Sequence, residues 1–451
     1  RLTGTKEYEA CGAWVESLLK GWGVQPAGDN GTYRQNFPNP YTTVYPGGVC
    51  VLHVPAGKNG VIKKYYKYED EFIPGGTSGS GEVTAEVVYV GYGITAPELD
   101  YDDYKGVDVT GKIVLLDPEV PVSPGGKTLD LFKKWRPYSF HQYKLKNAAA
   151  HGAKGMIYNY GPIGNPNNAY VDGFVYHHVG AAVTGDVFAG TGRIHKDTVA
   201  RIRAEFKPQS FATGKTMTIS NKTEHHPDGI GFNLIGQIPG TDPKLKDEVI
   251  IVGGHLDHLG RLWELLPGAN DNATAVAVGL GVAEAMAKCA VKPKRTVVFI
   301  FFGSEEQSEQ EGVQGSRFYT EHPLFPFDKT VVFINMEGPG SGDKISASGG
   351  TTYPKFWEFV EKANKGFIHR TLTTGPASYP ARPRQDSAWF FWKGVPSLTF
   401  GADGGPQPPY PTYHNTRDSL DLVTPEIMED MAQLLFMVIM DMSDEPVLNF
   451  R

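Results

Sequence analysis

Three apolar runs in the second half of the chain each break off next to a residue able to do chemistry. DEVIIVG at 247–253, TVVFIFFG at 296–303 and TVVFINM at 330–336 are rich in β-branched and aromatic residues and do not alternate, as expected of strands buried on both faces of a parallel sheet. Between and after them the period changes to that of helices. ATAVAVGLGVAEAMAKC at 273–289 is rich in small residues suited to close packing on a sheet, and PKFWEFVEKANK at 354–365 is amphipathic. PEIMEDMAQLLFMVIMDM at 425–442 opens on Pro and carries a Met-rich face whose default place is the core. From about residue 226 onward, strands and helices therefore alternate, and the pattern predicts an α/β fold.

The first half reads differently. Residues 4–22 have helical periodicity with a Thr or Gly start, and GTYRQNF follows as a strand; both are expected to join the α/β part. AEVVYVGYGITAPELDYDDYKGVDVTGKIVLLD at 85–117 predicts two strands around an acidic turn. A helix at HQYKLKNAAAHGAKG, a strand at MIYNY and an amphipathic segment DTVARIRAEF follow. The DYDDY run lacks the ligand spacing and terminal Glu of a calcium loop, so a solvated turn is expected.

A chain of 451 residues exceeds one ordinary domain, which makes two the natural expectation. The net charge of −7 comes with no continuous basic face, which argues against nucleic acid as a partner. No apolar stretch approaches the length needed to span a bilayer. The chain begins at Arg1, and an export signal lost upstream is expected, with a periplasmic or extracellular location. Three cysteines allow one disulfide at most; Cys11 and Cys50 pairing and three free thiols both stay open, and Cys289 reads as a small buried residue on a helix. Of the Asn-x-Ser/Thr matches, Asn272 lies too close to the candidate chemistry to carry a glycan.

That chemistry sits where the apolar runs end. GGHLDHLG places His255 at the end of the first, PGANDNATA follows with Asp271, Glu305 and Glu306 come just after the second, and Glu337 after the third. YPTYHNTRD adds His414 in a Pro-rich loop. Open α/β sheets carry their sites at such strand ends. Two histidines and several carboxylates with no cysteine nearby are a nitrogen and oxygen donor set that suits zinc, with manganese or cobalt less favoured. One acid too many for a single tetrahedral ion suggests two ions bridged by a carboxylate.

The order H-x-D, GAxDNA, the EE pair, an acid after an apolar strand and a late His resembles the co-catalytic zinc exopeptidases, which include bacterial leucyl aminopeptidase, aminopeptidase S, plasma glutamate carboxypeptidase and the transferrin-receptor-like proteins. It covers roughly residues 226–445. The resemblance implies a three-layer mixed-sheet α/β catalytic domain made of residues 1–80 and 226–451. It also implies an inserted β-rich protease-associated domain at 81–225. Two zinc ions per chain are implied, with Asp271 bridging, His255 and Glu337 on one ion, and Glu306 and His414 on the other. Glu305 would be the general base, Asp257 the acid that orients His255, and Tyr413 a donor to the developing oxyanion. His258 is not expected to bind, and Asp386 is read as structural.

Two departures from the family pattern stand out. Relatives with aminopeptidase activity usually carry Asp where this chain has Glu337. In EEQSEQEGVQGS about four extra polar residues follow the EE pair, with Glu309 and Glu311 read as solvated. The implied activity is a metallo-aminopeptidase acting on the N-terminus of peptides. The first alternative is a carboxypeptidase or dipeptidase in which Arg382 and Arg384 hold a substrate carboxylate. Of other classes, an inactive receptor-like protein requires lost ligands, and a single-zinc glutaminyl cyclase shares the fold but usually lacks the insert.

Overall fold

A computed structural model describes the chain except residues 57–59, 123–128, 311, 378–383, 405–411 and 451. The three apolar runs form strands β1 (Val249–His255), β2 (Thr296–Phe302) and β3 (Thr330–Met336), buried almost throughout. With β4 (Ser397–Gly404) they make a parallel centre in the order β2, β1, β3, β4. Antiparallel strands Ile230–Ile238 and Gly342–Ser348 flank it, so the sheet is mixed.

Alternate side chains along β1 explain the layering. Ile250 and Val252 enter the core shared with helices α1 (Lys6–Trp22), α2 (Thr274–Lys288), α4 (Pro354–Ala363) and α6 (Pro425–Asp444). Val249 and Ile251 face the opposite way, into a core closed by Tyr319 of α3 (Gln314–Glu321) and Phe390 of α5 (Ser387–Trp392). Each fully buried aliphatic or aromatic side chain of this kind stabilises by about 1.5–3 kcal/mol, which is why a run apolar on both faces settles only in the middle layer. The Met-rich face of α6 lies in the core, with Met431 and Met442 buried. α1 starts where Thr5 Oγ1 accepts the Tyr8 N–H at 3.3 Å, a cap contributing about 1 kcal/mol.

A second sheet holds most of residues 41–226. Its order is 264–266, 260–262, 41–56, 211–226, 81–89, 113–116, 155–158, 175–179 and 72–74. The sequence divides the chain at residue 80, yet the strands of residues 41–74 hydrogen-bond into this second sheet. The short pair 260–262 and 264–266, from the stretch between His258 and Gly268, also joins it. Leu259, Leu262 and Leu266 seal this junction with Val44 and Ile73.

Three readings need correction. Asp103 in DYDDY is fully buried and accepts hydrogen bonds from Tyr92 N–H, Ile94 N–H and Tyr101 Oη, so the acidic run is half interior and only half turn. Burial pushes its carboxyl up to about 7. Glu309 is not solvated: it lies 3.4 Å from His225 at the sheet junction, and burial raises it to about 7. The three cysteines are free, and Cys289 is only half-buried, just past the end of α2. Glu311 and Arg382 lie outside the described residues.

Candidate metal centre

All the candidate side chains except His414 follow directly from the C-terminal ends of β1, β2 and β3 or from the start of α2. His255 is the last residue of β1, Glu337 the first after β3, and Glu305 and Glu306 follow β2 after a turn at Gly303 and Ser304. Asp271 lies in the irregular turn just before α2. His414 arrives from the segment beyond β4.

These residues converge around one point of the cleft. Asp271 turns its two oxygens to two different imidazoles: Oδ1 is 3.3 Å from His255 Nε2, and Oδ2 is 3.2 Å from His414 Nε2. Glu337 Oε2 stands 3.2 Å from His255 Nε2, and Glu306 Oε2 stands 3.1 Å from His414 Nε2. His255, Asp271 and Glu306 present ligand atoms all within 4.8 Å of one another. With zinc–donor bonds of about 2.0–2.1 Å, neighbouring donors of a tetrahedral ion lie about 3.3 Å apart. The observed separations fit that spacing.

The electrostatics also fit a cation. Burial pushes both histidines towards the neutral form, yet Glu337 and Glu305 hold His255, and Glu306 and Asp271 hold His414, well above the ordinary imidazole range. Against the same burial, the two imidazoles keep Asp271 well below the usual carboxylate range, and His414 brings Glu306 down to about 2. The cluster thus demands positive charge, which protons or a metal can supply. His414 Nε2 is buried and has no hydrogen-bond partner despite two carboxylate oxygens within 3.2 Å, as expected of donors that face a shared centre rather than each other.

The remaining candidates fall around this group. Glu305 is buried and lines the cleft, and burial together with Glu306 and Glu337 raises its carboxyl well above the ordinary range despite His255. The Asp257 carboxylate accepts the backbone N–H groups of Glu305 and Glu306 at 3.1 and 3.3 Å. Its distance to His255 Nδ1 is 3.7 Å; the nearer partner of that nitrogen is the Asp257 carbonyl at 3.2 Å. Asp257 therefore bears on the EE loop through its side chain and on His255 through its backbone. Tyr413 lines the cleft, 39% exposed, and stacks on the His414 ring at 3.7 Å. Asp386 is fully buried at the start of α5, and burial with nearby Glu337 pushes its carboxyl well up despite His255.

Two residues escaped the sequence reading. His258 is fully buried, and its Nδ1 lies 3.0 Å from Glu306 Oε1, so it can donate to a candidate ligand. Gly268 makes room for it, since a Cβ there would meet the His258 ring at 2.2 Å. Asp418 accepts the N–H groups of Asn270 and Asp271 at 2.8 and 2.9 Å and so positions the loop that carries Asp271. Nothing in a lone Asp four residues after a His signals that contact. Asn272, which matches the glycan pattern, is buried and donates to the Met336 carbonyl.

The cleft has a volume of about 660 Å³ and reaches from His255 and Asp271 to Arg384, Asp403 and Tyr413. Arg384 pairs with Glu119 of the second sheet's side, so both halves of the molecule meet at its rim. Among the described residues no helix is long and apolar enough to cross a membrane.

Comparison with known proteins agrees with this layout. Residues 233–439 match peptidase family M28, and residues 83–184 match the PA domain. Aminopeptidase YwaD of Bacillus subtilis is 27% identical over 359 residues, which cover 76% of this chain and 66% of that protein. The vacuolar membrane protease of Clavispora lusitaniae is 28% identical over 188 residues, or 42% of this chain. The chain spans only 17% of that relative's length and 12% to 17% of two similar yeast proteins. The solved aminopeptidase from Aneurinibacillus sp. strain AM-1 has the same fold, with a TM-score of 0.67 at 23% identity, covering 100% of this chain and 92% of that one.

Proposed function

Starting from the match of residues 233–439 to peptidase family M28 and of residues 83–184 to the PA domain, we propose that the chain is a zinc-dependent aminopeptidase that removes residues from the N-terminus of peptides. The observation that carries the reading is the division of Asp271 between two imidazoles, one carboxylate oxygen to each, with Glu337 and Glu306 closing the two groups. On this reading His255 and Glu337 hold one zinc, Glu306 and His414 hold a second, and Asp271 bridges them. Bound there, zinc would supply a Lewis acid that polarises the scissile carbonyl and makes water acidic enough to attack at neutral pH.

The protein's own groups do the rest. Glu305 Oε takes a proton from the attacking water and passes it to the leaving amine nitrogen; its raised carboxyl suits a group that must both accept and return a proton. Asp257 fixes the backbone of Glu305 and Glu306 and thereby the direction of both carboxylates. Tyr413, partly exposed beside His414, would donate to the carbonyl oxygen as it gains charge. The cleft takes an extended peptide end, with residues 81–225 proposed as the inserted domain that narrows it.

One observation favours a second reading, carboxypeptidase or dipeptidase action: Arg384 lines the cleft and offers a guanidinium to a substrate carboxylate. A panel of aminoacyl-anilides and dipeptides, free or blocked at either end, separates the two. Cleavage confined to free-amine substrates, lost in Glu305→Gln with zinc content unchanged, supports the first. Cleavage of amino-blocked but not carboxyl-blocked dipeptides would overturn it in favour of the second.

A further inference from the structure

The structure assigns part of the metal centre to the inserted domain: the backbone of Gly164 fixes the His414 imidazole, so docking of that domain governs the ion held by His414 and Glu306. The inference rests on the two-zinc reading above. Gly164 and His414 are 250 residues apart and exchange two hydrogen bonds. The Gly164 N–H donates to the His414 carbonyl at 2.9 Å, and His414 Nδ1 donates to the Gly164 carbonyl at 2.6 Å. A carbonyl can only accept, so Nδ1 must carry the hydrogen. The neutral ring then offers its lone pair from Nε2, the atom that faces Asp271 and Glu306.

The rest of the segment is held from the same side. His414 has φ 55°, in the left-handed region that favours glycine, so its backbone must be kept there by its surroundings. Two residues on, Thr416 donates its N–H and Oγ1 to the Glu69 carboxylate at 2.6 and 2.9 Å. Glu69 lies just before the strand Phe72–Pro74 of the second sheet. Gly164 in turn packs against the side-chain ends of Leu259, Leu262 and Leu266, which a Cβ there would approach to 2.8–3.0 Å. Among the described residues, the His255 and Glu337 side chains instead take hydrogen-bond partners from the first sheet and its loops: the Asp257 carbonyl, Asn272 and Asn335. The two ions should therefore respond differently when the second sheet loosens its grip.

The test uses the full chain and reads zinc, not hydrolysis. Gly164→Ala crowds the backbone that holds His414, and Glu69→Ala releases Thr416 from the other tie. Zinc is titrated out with a competing chelator, and the thermal midpoint of the metal-free protein is recorded. Wild type is expected to release two ions. In both variants one ion should be weakened by about 10- to 100-fold while the other keeps its affinity and the metal-free midpoint barely moves; Glu69→Gln, which retains one acceptor, should fall between. Variants that hold both ions as wild type does, or that weaken both equally, overturn the inference. A wild type that binds a single ion overturns the two-zinc reading instead, and the inference then stands or falls on whether that ion weakens in Gly164→Ala.

Discussion

At the scale of single residues, the neighbours Glu305 and Glu306 share a backbone turn but differ in their surroundings. Burial lifts the first carboxyl well above the usual range, whereas His414 overcomes burial and draws the second down to about 2. Two adjacent identical residues thus divide into one pushed towards the protonated form and one that stays anionic. His258 adds to the second effect by donating to Glu306. Replacing it, His258→Ala, is expected to weaken zinc by about 10- to 100-fold, read by chelator competition. The candidate ligands His255, Glu306 and Glu337 stood out in the sequence because each follows an apolar run, whereas Asp271 and His414 come from loops rich in Gly, Asn and Pro. His258 and Asp418 did not stand out, because their contacts are set by how two loops cross, which no local pattern encodes.

At the scale of elements, β1 to β4 do little more than align loops, and their stiffness comes from the cores on either side. Phe390 of α5 stacks on Tyr319 and lies 4.3 Å from the Phe333 ring, fully buried. Phe390→Ala should cost about 3–5 kcal/mol, seen as a lower urea midpoint. The second sheet carries a different sensitivity. His177 and His178 on strand Val175–Val179 are buried, and burial lowers both to about 4. Their folded values lie below the unfolded value of about 6.5, so the unfolded chain binds more protons between pH 4 and 6.5. Stability from these groups is full above pH 6.5 and is lost as pH falls towards 4, on the order of 3 kcal/mol each. Asp103, raised to about 7, has the opposite sign: stability is lost as pH rises from about 4 to 7. The urea midpoint at pH 7 minus that at pH 5 should therefore be smaller in His177→Gln and larger in Asp103→Asn than in wild type. The buried strands were legible from composition alone; burial of Asp103 and Glu309 was not, since a polar run reads as solvated until its neighbours are known.

At the scale of the whole molecule, the candidate metal centre gathers side chains from five places in the sequence, and four of them bring carboxylates. Asp257, Glu305 and Glu306 are buried and Asp271 and Glu337 half-buried, so their charges repel at short range unless a cation offsets them. Removing zinc with a chelator is expected to lower the thermal midpoint, by an amount that grows with zinc concentration in the reference sample, since a ligand present at 100 times its Kd stabilises by about 2.7 kcal/mol. The alternation of strands and helices predicted the first sheet and its site at the strand ends. It did not predict that residues 41–74 and 260–266 would cross to the second sheet, because a strand's partner is a choice made in three dimensions. That crossing has a consequence for chain engineering. The stretch that separates His255 from Asp271 spends its middle as an edge of the other sheet, paired to the strand 41–56, so excising residues 81–225 and splicing the ends would strip that strand of its neighbour at 211–226. A minimal fragment would have to redesign the bared edge of strand 41–56 before the loop between His255 and Asp271 had a firm support.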